Sequence, residues 1–304
     1  MMELTAGHFT ELCAQDQVAE RIGAVEDERR QAVRKFWTRV LVGTALSVAA
    51  LLSLFASGWE TTAIIVFLVF LVGTFCAAAG PLMAVGEGLK LPVLEELARR
   101  CSLEYIPDGF TPPAYERARA LLFGGGFSSQ TFSDLFHGAD EEGRGHAVYE
   151  ACLQRRVGKN TTTVFTGMIY AIHRKPELGG ITVAVPDKKI FNFFKPARDM
   201  ERVRIEGDEE FERRFEVYST APMEAKQVFF SSDLRRTLLD LRKDGPVSVF
   251  ISPEEALVAA YSNKNRFEAG SMLRRRAPEE RVRQMFDDLA AALVRLKELK
   301  ARLG

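Results

Sequence analysis

Two apolar runs near the start of the chain decide its fold: VLVGTALSVAALLSLF (residues 40–55) and TTAIIVFLVFLVGTFCAAAGPLMAVG (residues 61–86). Neither run contains Asp, Glu, Lys, Arg or His. Each predicts a helix that crosses a hydrocarbon core about 30 Å thick. Because only the five residues ASGWE separate the runs, the two helices must be antiparallel. The sequence therefore predicts a transmembrane helical hairpin over residues 37–87, whose two ends leave the membrane on the same side.

The basic residues around this hairpin indicate which side that is. Lys and Arg near membrane ends are retained in the cytoplasm. The connecting turn has none, whereas both outer ends of the hairpin carry them: Arg29, Arg30, Arg34, Lys35, Arg39, Lys90, Arg99 and Arg100. Both termini of the chain are therefore expected in the cytoplasm.

Small residues recur within the apolar runs and allow close helix packing, either inside one hairpin or between two copies. They are Gly43, Ala45, Ser47, Ala49, Gly73, Ala77 and Gly80. The runs hold no acidic, Lys or His side chain that would mark an ion or proton path. Two helices alone cannot enclose a pore, so the sequence does not predict a channel or transporter.

The remaining sequence forms two further parts. Residues 1–36 have apolar positions at three- and four-residue steps and predict an amphipathic cytosolic helix that enters the first span. Residues 88–304 have short runs rich in Val, Ile, Thr, Phe and Tyr, separated by turns, and two helical stretches over 222–240 and from Pro278 onward. We therefore predict an α+β fold: a cytosolic, mainly antiparallel β-sheet domain with covering helices, preceded by the hairpin.

Composition narrows the function. The chain has 304 residues, with 41 Lys and Arg against 41 Asp and Glu, so it lacks the basic excess of a nucleic-acid-binding protein. Its four cysteines are scattered and never at C-x-x-C spacing, so they predict neither a zinc site nor a disulfide framework. Reduced cysteines agree with a cytoplasmic soluble part.

No catalytic, cofactor-binding or metal site is predicted. The four histidines, His8, His137, His146 and His173, are isolated in sequence, although His137 and His146 could approach each other across a hairpin. The Ser128–Ser129 and Ser231–Ser232 pairs lack a nucleophile-elbow motif. The triple glycine of residues 124–126 lacks a following Lys-Ser/Thr pair and is interpreted as a turn that ends a helix. Glu212, Glu216 and Glu268 are interpreted as exposed strand or loop carboxylates.

The basic cluster Arg274, Arg275 and Arg276 is the candidate binding feature. A domain tethered by a short helix stands near an anionic leaflet, where each Lys or Arg close to the surface contributes about 1 kcal/mol. The cluster therefore predicts contact with anionic lipids, and a solvated charge run before a helix is the alternative.

Four segments resemble a family of bacterial membrane proteins, the domain of unknown function family 3137. They are VFTGMIYAI (residues 164–172), GGITV (179–183), FERRFEVYSTAPMEAKQVF (211–229) and ALVAAYSNKNRFE (256–268). The resemblance implies a two-span protein of the bacterial inner membrane with a cytosolic domain. It supplies no activity, cofactor or catalytic residue.

The sequence thus favours a non-enzymatic module that binds a protein or lipid partner at the inner face of the membrane. Two alternatives stay open. One is a hydrolase or transferase acting on a membrane-associated substrate, with its residues assembled from distant strands. The other is a component of an oligomeric membrane assembly.

Overall fold

The computed structural model describes residues 4–175, 179–186 and 197–304. The chain divides into two compact units. The hairpin unit consists of Thr5–Glu96 and Phe267–Asp287, and the sheet unit consists mainly of Leu97–Arg266 and Asp288–Gly304. The α+β class predicted from sequence is confirmed: two long apolar helices precede one antiparallel sheet with helices.

The hairpin unit begins with helix α1 (Ala6–Cys13) and continues into α2 (Asp16–Ala56) and α3 (Glu60–Arg100). The turn between α2 and α3 contains Gly58 at φ +79°, a backbone conformation that glycine adopts without a Cβ penalty. From Asp16 onward, the amphipathic pattern and the first apolar run form one helix, whereas Leu12, where the predicted pattern begins, lies in the separate helix α1. Helix α3 likewise continues without a break through Pro81 and Pro92.

Close contacts hold α2 against α3. A Cβ on Gly43 would lie 2.3 Å from Thr74 Cγ2, so the two helices approach too closely there for any larger side chain. Ser47 is fully buried and its hydroxyl donates to the Gly43 carbonyl at 2.7 Å. Arg39 Nη1 donates to the Ala77 carbonyl at 2.9 Å. Small residues in the apolar runs therefore pack the hairpin internally at this point.

The outward faces of both helices are apolar and exposed. By length and composition each helix is able to cross a membrane, and only 11% of the most apolar stretch of each helix is buried. Large hydrophobic residues lie on these faces: Leu41, Leu46, Leu52, Val69 and Val72 each expose more than three fifths of their surface. The core of this unit lies instead nearer the chain start, where Phe9 packs edge-on against Phe286 at 5.6 Å.

Over its described residues, the sheet unit contains nine strands, all paired antiparallel, in the order β1-β2-β3-β4-β9-β8-β5-β7-β6. The strands are β1 (Glu104–Ile106), β2 (Ser129–Ala139), β3 (Gly145–Val157), β4 (Asn160–His173), β5 (Thr182–Pro186), β6 (Glu201–Val203), β7 (Phe215–Ser219), β8 (Val247–Ile251) and β9 (Glu255–Tyr261). The helices that accompany them are α4 (Tyr115–Phe123), α5 (Glu209–Arg214), α6 (Pro222–Phe230), α7 (Ser232–Leu241) and α8 (Pro278–Leu303), the last of which begins in the hairpin unit.

Both faces of the central strands are buried. On one face, Tyr115 and Phe123 of α4 join a core cluster with Tyr149 of β3 and Phe165 of β4. On the other face, the end of α8 reaches the sheet, where Lys300 Nζ lies 3.5 Å from His146 Nδ1. Consequently β3 and β4 read as nearly continuous buried runs in their central parts and not as simple alternation.

In the sheet unit, three local features differ from the sequence prediction. Strand β1 lies in a segment for which the sequence predicts no strand, and the short helix α5 was not predicted either. The helical stretch predicted over 222–240, for which the sequence offers Ser231 or Ser232 as a cap, is two helices, α6 and α7, separated by Ser231 in an extended conformation. The Ser231 hydroxyl accepts a hydrogen bond from Leu234 N and so caps the second helix, which starts a new axis.

Candidate functional site

The three predicted arginines lie at the end of an irregular segment of the hairpin unit, residues 267–277, which we call the arginine loop. The side chains of Arg274, Arg275 and Arg276 are all exposed, and the neighbouring Leu273 exposes 46% of its surface. Met272, by contrast, is 4% exposed and fixes the middle of the loop. The loop thus has a buried anchor followed by an exposed basic tip.

Arg281, in the first turns of α8, holds the loop in shape. It is 1% exposed, and its guanidinium donates to three loop carbonyls: Nη1 to Ala269 at 2.6 Å, and Nη2 to Ser271 at 3.2 Å and to Arg274 at 2.7 Å. Burial and the nearby Arg29 and Arg276 cations lower the pKa of Arg281 from its very high ordinary value, and an arginine stays charged under such a shift. One side chain therefore binds three of the backbone carbonyls of the loop.

Two largely buried basic side chains, one on α3 and one on α2, contact the arginine loop. Lys90, 6% exposed, pairs with Glu268 at 2.9 Å. Arg29, 8% exposed, binds Glu26 through two hydrogen bonds at 2.8 and 2.9 Å and also donates to the Met272 carbonyl at 3.4 Å. The hydrogen bond from Arg29 lowers the pKa of Glu26 to about 2. The arginine loop is therefore tied to both α2 and α3.

A second polar cluster lies in the sheet unit at the turn between β2 and β3. Asp140 Oδ2 lies 2.9 Å from Arg144 Nη2 and 3.1 Å from Lys300 Nζ, and Asp140 Oδ1 accepts from Arg144 N at 2.8 Å. Desolvation opposes ionisation of Asp140, but the Arg144 N–H and the two cations outweigh it and lower its pKa. Burial, followed by the Lys300 charge, lowers the pKa of His146. The cluster is a closed set of paired charges that ties the turn to α8.

The structure does not bring the histidine candidates together. His146 stands opposite Gly138 in the β2–β3 register, so His137, one residue earlier, points to the other face of the sheet and lies 3.4 Å from Glu104. His8 lies beside Thr5, and His173 is exposed at the end of β4. Within the described ranges, no group of three or more His, Cys, Asp or Glu side chains could hold a metal ion.

The other polar candidates have separate local partners. Glu212 accepts from Ile205 N at 2.6 Å, Glu216 accepts from the Tyr218 hydroxyl at 2.9 Å, and Glu268 binds Lys90. Glu216 is thus largely buried and Glu268 is partly buried, so neither is a fully exposed carboxylate. The Ser128 hydroxyl donates to the Gln154 carbonyl at 3.3 Å. Gly124, at φ +66°, ends α4, which confirms the turn interpretation of the triple glycine.

Sequence reasoning missed Arg281 as a functional residue. A signal was present: Arg281 precedes Met285 and Leu289 by steps of four, so an arginine occupies a position on the buried stripe of α8. A charged residue on an apolar stripe requires polar partners, since burying an unpaired charge is costly. Which partners it meets depends on the loop that folds over it.

One comparison with known proteins gives a match, to a family model over part of the chain. Neither the curated proteins nor the solved structures gave a match. All four segments that carried the family resemblance lie within residues 163–300, which run from β4 into α8. This region also includes the arginine loop and excludes both long apolar helices. Residues 163–300 match the model of the family described as protein of unknown function (DUF3137), which confirms the resemblance for that part of the chain.

Proposed function

We propose that the protein is a membrane-anchored binding module. Helices α2 and α3 cross a bilayer as a hairpin over residues 37–87, and residues 1–36 and 88–304 lie on its cytoplasmic side, where they bind a protein or lipid partner. In this proposal the membrane is the inner membrane of a bacterium, which is the setting that the family resemblance implies.

The exposed apolar surface of α2 and α3 is the observation that carries the proposal. Soluble monomeric proteins rarely expose contiguous apolar patches of more than a few hundred Å², whereas here large apolar side chains cover the outward faces of two long adjacent helices. Trp37 and Trp59 are 53% and 62% exposed at opposite ends of this surface. They are separated by about 20 helical residues, or about 30 Å, which suits the two headgroup zones.

The charge distribution supports the orientation. Arg30, Arg34, Lys35 and Arg39 are exposed on α2 before the apolar stretch, and the turn at Gly58 carries no basic residue. Arg274, Arg275 and Arg276 lie in the same unit as this end of the hairpin. Cations on that side favour retention in the cytoplasm and attraction to anionic lipids, so we propose the three arginines as the lipid contact.

Extraction of the full-length protein from membranes tests the proposal. We expect the wild type to stay in the membrane pellet after alkaline carbonate washing, and a reporter fused after Gly304 to be active only in the cytoplasm. Replacing Val69 and Val72 with Asp should shift protein to the supernatant, because each charge near the bilayer centre costs about 3 kcal/mol. The matched control is Val157→Asp, a similarly exposed valine of β3, which should remain in the pellet. Release of the wild type, or a reporter active only outside the cell, would contradict the proposal.

A second copy of the chain is an alternative partner. Gly73, Ala77 and Gly80 of α3 are exposed, and a Cβ on Gly73 or Gly80 would meet nothing within 4 Å. Small residues at this spacing allow two helices to approach closely in a membrane. Crosslinking in native membranes tests this role: Gly73→Leu should reduce a dimer band if the exposed face of α3 mediates self-association.

A further inference from the structure

A groove lies between α3 and the arginine loop within the hairpin unit. Its wall on α3 is formed by Ala79, Leu82, Met83 and Gly86, and the loop contributes Met272 and Leu273, which together enclose about 260 Å³. Glu87 and Glu268 lie at one end, and Glu268 is already paired with Lys90. Since specific ligand pockets are usually about 300–1,000 Å³, the groove is suited to part of a narrow apolar chain.

The loop approaches the bilayer as it runs from Glu268 to Leu273. Glu268 binds Lys90 of α3. Met272 instead lies beside Gly86, where its Cε would be 3.7 Å from an added Cβ. Gly86 is four residues nearer than Lys90 to the middle of the apolar stretch of α3. Counted from Thr61, about 20 helical residues cross about 30 Å of hydrocarbon, which places the inner edge of the hydrocarbon near Gly80. Met83, which is 69% exposed, then stands about 5 Å beyond that edge, in the headgroup layer.

Basic residues directly follow the apolar loop residues of the groove in the sequence. Leu273 faces the groove, and Arg274 is the next residue. Among the residues that the structure describes, neither Arg274 nor Arg275 forms an ion pair, and Arg276 Nη1 binds only the neutral amide oxygen of Gln284, at 3.1 Å. The backbone of this tip is fixed by Arg281 through the Arg274 carbonyl. Exposed cations that have no anionic partner among the described residues, on a backbone held by Arg281, therefore border an apolar groove at the proposed headgroup depth.

We propose that this groove binds a single anionic phospholipid. One acyl chain lies along Ala79, Met83 and Leu273 and points toward the bilayer, away from Glu87, while the phosphate binds Arg274 and Arg275. The inference rests on the proposed membrane anchoring and adds a defined lipid site to it. Apolar lining and adjacent cations select a lipid, because a free phosphate would gain nothing from the groove.

Native mass spectrometry of the full-length protein in detergent, titrated with dioleoyl phosphatidylglycerol or dioleoyl phosphatidylcholine, tests the site. We expect the wild type to retain one phosphatidylglycerol at concentrations where phosphatidylcholine is not retained. Arg274→Ala with Arg275→Ala should weaken phosphatidylglycerol binding about thirty-fold. Ala79→Phe should fill the groove and weaken binding with all arginines present. The matched control, Arg213→Ala with Arg214→Ala on α5, removes two exposed arginines and should bind as the wild type does.

Two outcomes would overturn the lipid site. One is equal phosphatidylglycerol retention by the wild type, by Arg274→Ala with Arg275→Ala, and by Ala79→Phe. The other is displacement of the lipid by millimolar inorganic phosphate together with unchanged binding by Ala79→Phe, which would indicate a phosphate site. In either case, a wild type that still resists carbonate washing leaves the membrane anchoring intact, so the two proposals fail separately.

Discussion

Arg281 shows how one buried side chain shapes the basic tip that we propose binds lipid. Its guanidinium has five donors in a fixed planar arrangement, and three loop carbonyls accept from it. A lysine has a compact ammonium on a flexible stem and cannot reproduce this geometry. The positions of Arg274 and Arg275 therefore depend on a residue that lies beneath them and does not face the proposed ligand.

Replacement of Arg281 by Leu should destabilise the protein by about 3 kcal/mol, because the carbonyls of Ala269, Ser271 and Arg274 lose their buried donors. Arg281→Lys should still lose more than half as much free energy of unfolding as Arg281→Leu does. The measurement is the midpoint of urea unfolding of the full-length protein in detergent. Arg213→Leu, at an exposed position, is the control and should change the midpoint little. An unchanged midpoint in Arg281→Leu would show that the loop does not need this guanidinium.

At the scale of elements, the sequence predicts those that have a distinct composition between turn residues. The two long helices are recognisable from their uninterrupted apolar runs, and strands β2 to β9 from short runs rich in Val, Ile, Thr, Phe and Tyr. Strand β1 has three residues and Pro107 follows it directly, whereas the equally short β6 lies in the alternating stretch RVRI (residues 202–205). Helix α5 has six residues, which are too few to show a helical period. Ser231 or Ser232 is recognisable as a cap, but the split into two helices is not, because apolar residues continue at a helical period on both sides of Ser231.

The same limit applies to the candidate site. Arg274, Arg275 and Arg276 are recognisable as a charge run in the sequence alone. The groove is not, because Gly86 and Met272 meet only after the chain has passed through the whole sheet unit. Contacts between segments this distant in sequence leave no local pattern.

Ser231 gives a prediction for the boundary between α6 and α7. Ser231→Ala should lower the free energy of unfolding by about 1 kcal/mol, because it removes the oxygen that accepts from Leu234 N. Ser232→Ala is the matched control: Ser232 is exposed at the first position of α7 and should tolerate alanine within about 0.5 kcal/mol. Urea unfolding of the two variants in parallel measures the difference. Equal effects would mean that Ser231 is not the cap.

For the whole molecule, the two compact units are not continuous segments of the chain. Phe267–Asp287 comes after the sheet strands, yet it belongs to the hairpin unit with α1, α2 and α3. Within that unit, Phe286 packs on Phe9, and Arg283 lies 3.6 Å above the Phe9 ring. A fragment that starts at Leu97 would therefore keep the sheet strands but leave this segment without its partners.

Hydrogen exchange of the full-length protein and of a fragment from Leu97 to Gly304 measures this consequence. We expect the amides of the first part of α8, residues 281–287, to exchange at least tenfold faster in the fragment, because Val282, Met285 and Phe286 lose the surface that buries them. The amides of β3 and β4 serve as the internal control and should keep their protection, since their partners all lie within the sheet unit. Equal protection of residues 281–287 in both proteins would mean that this segment folds without the hairpin, and the arginine loop would then be positioned by the sheet unit alone.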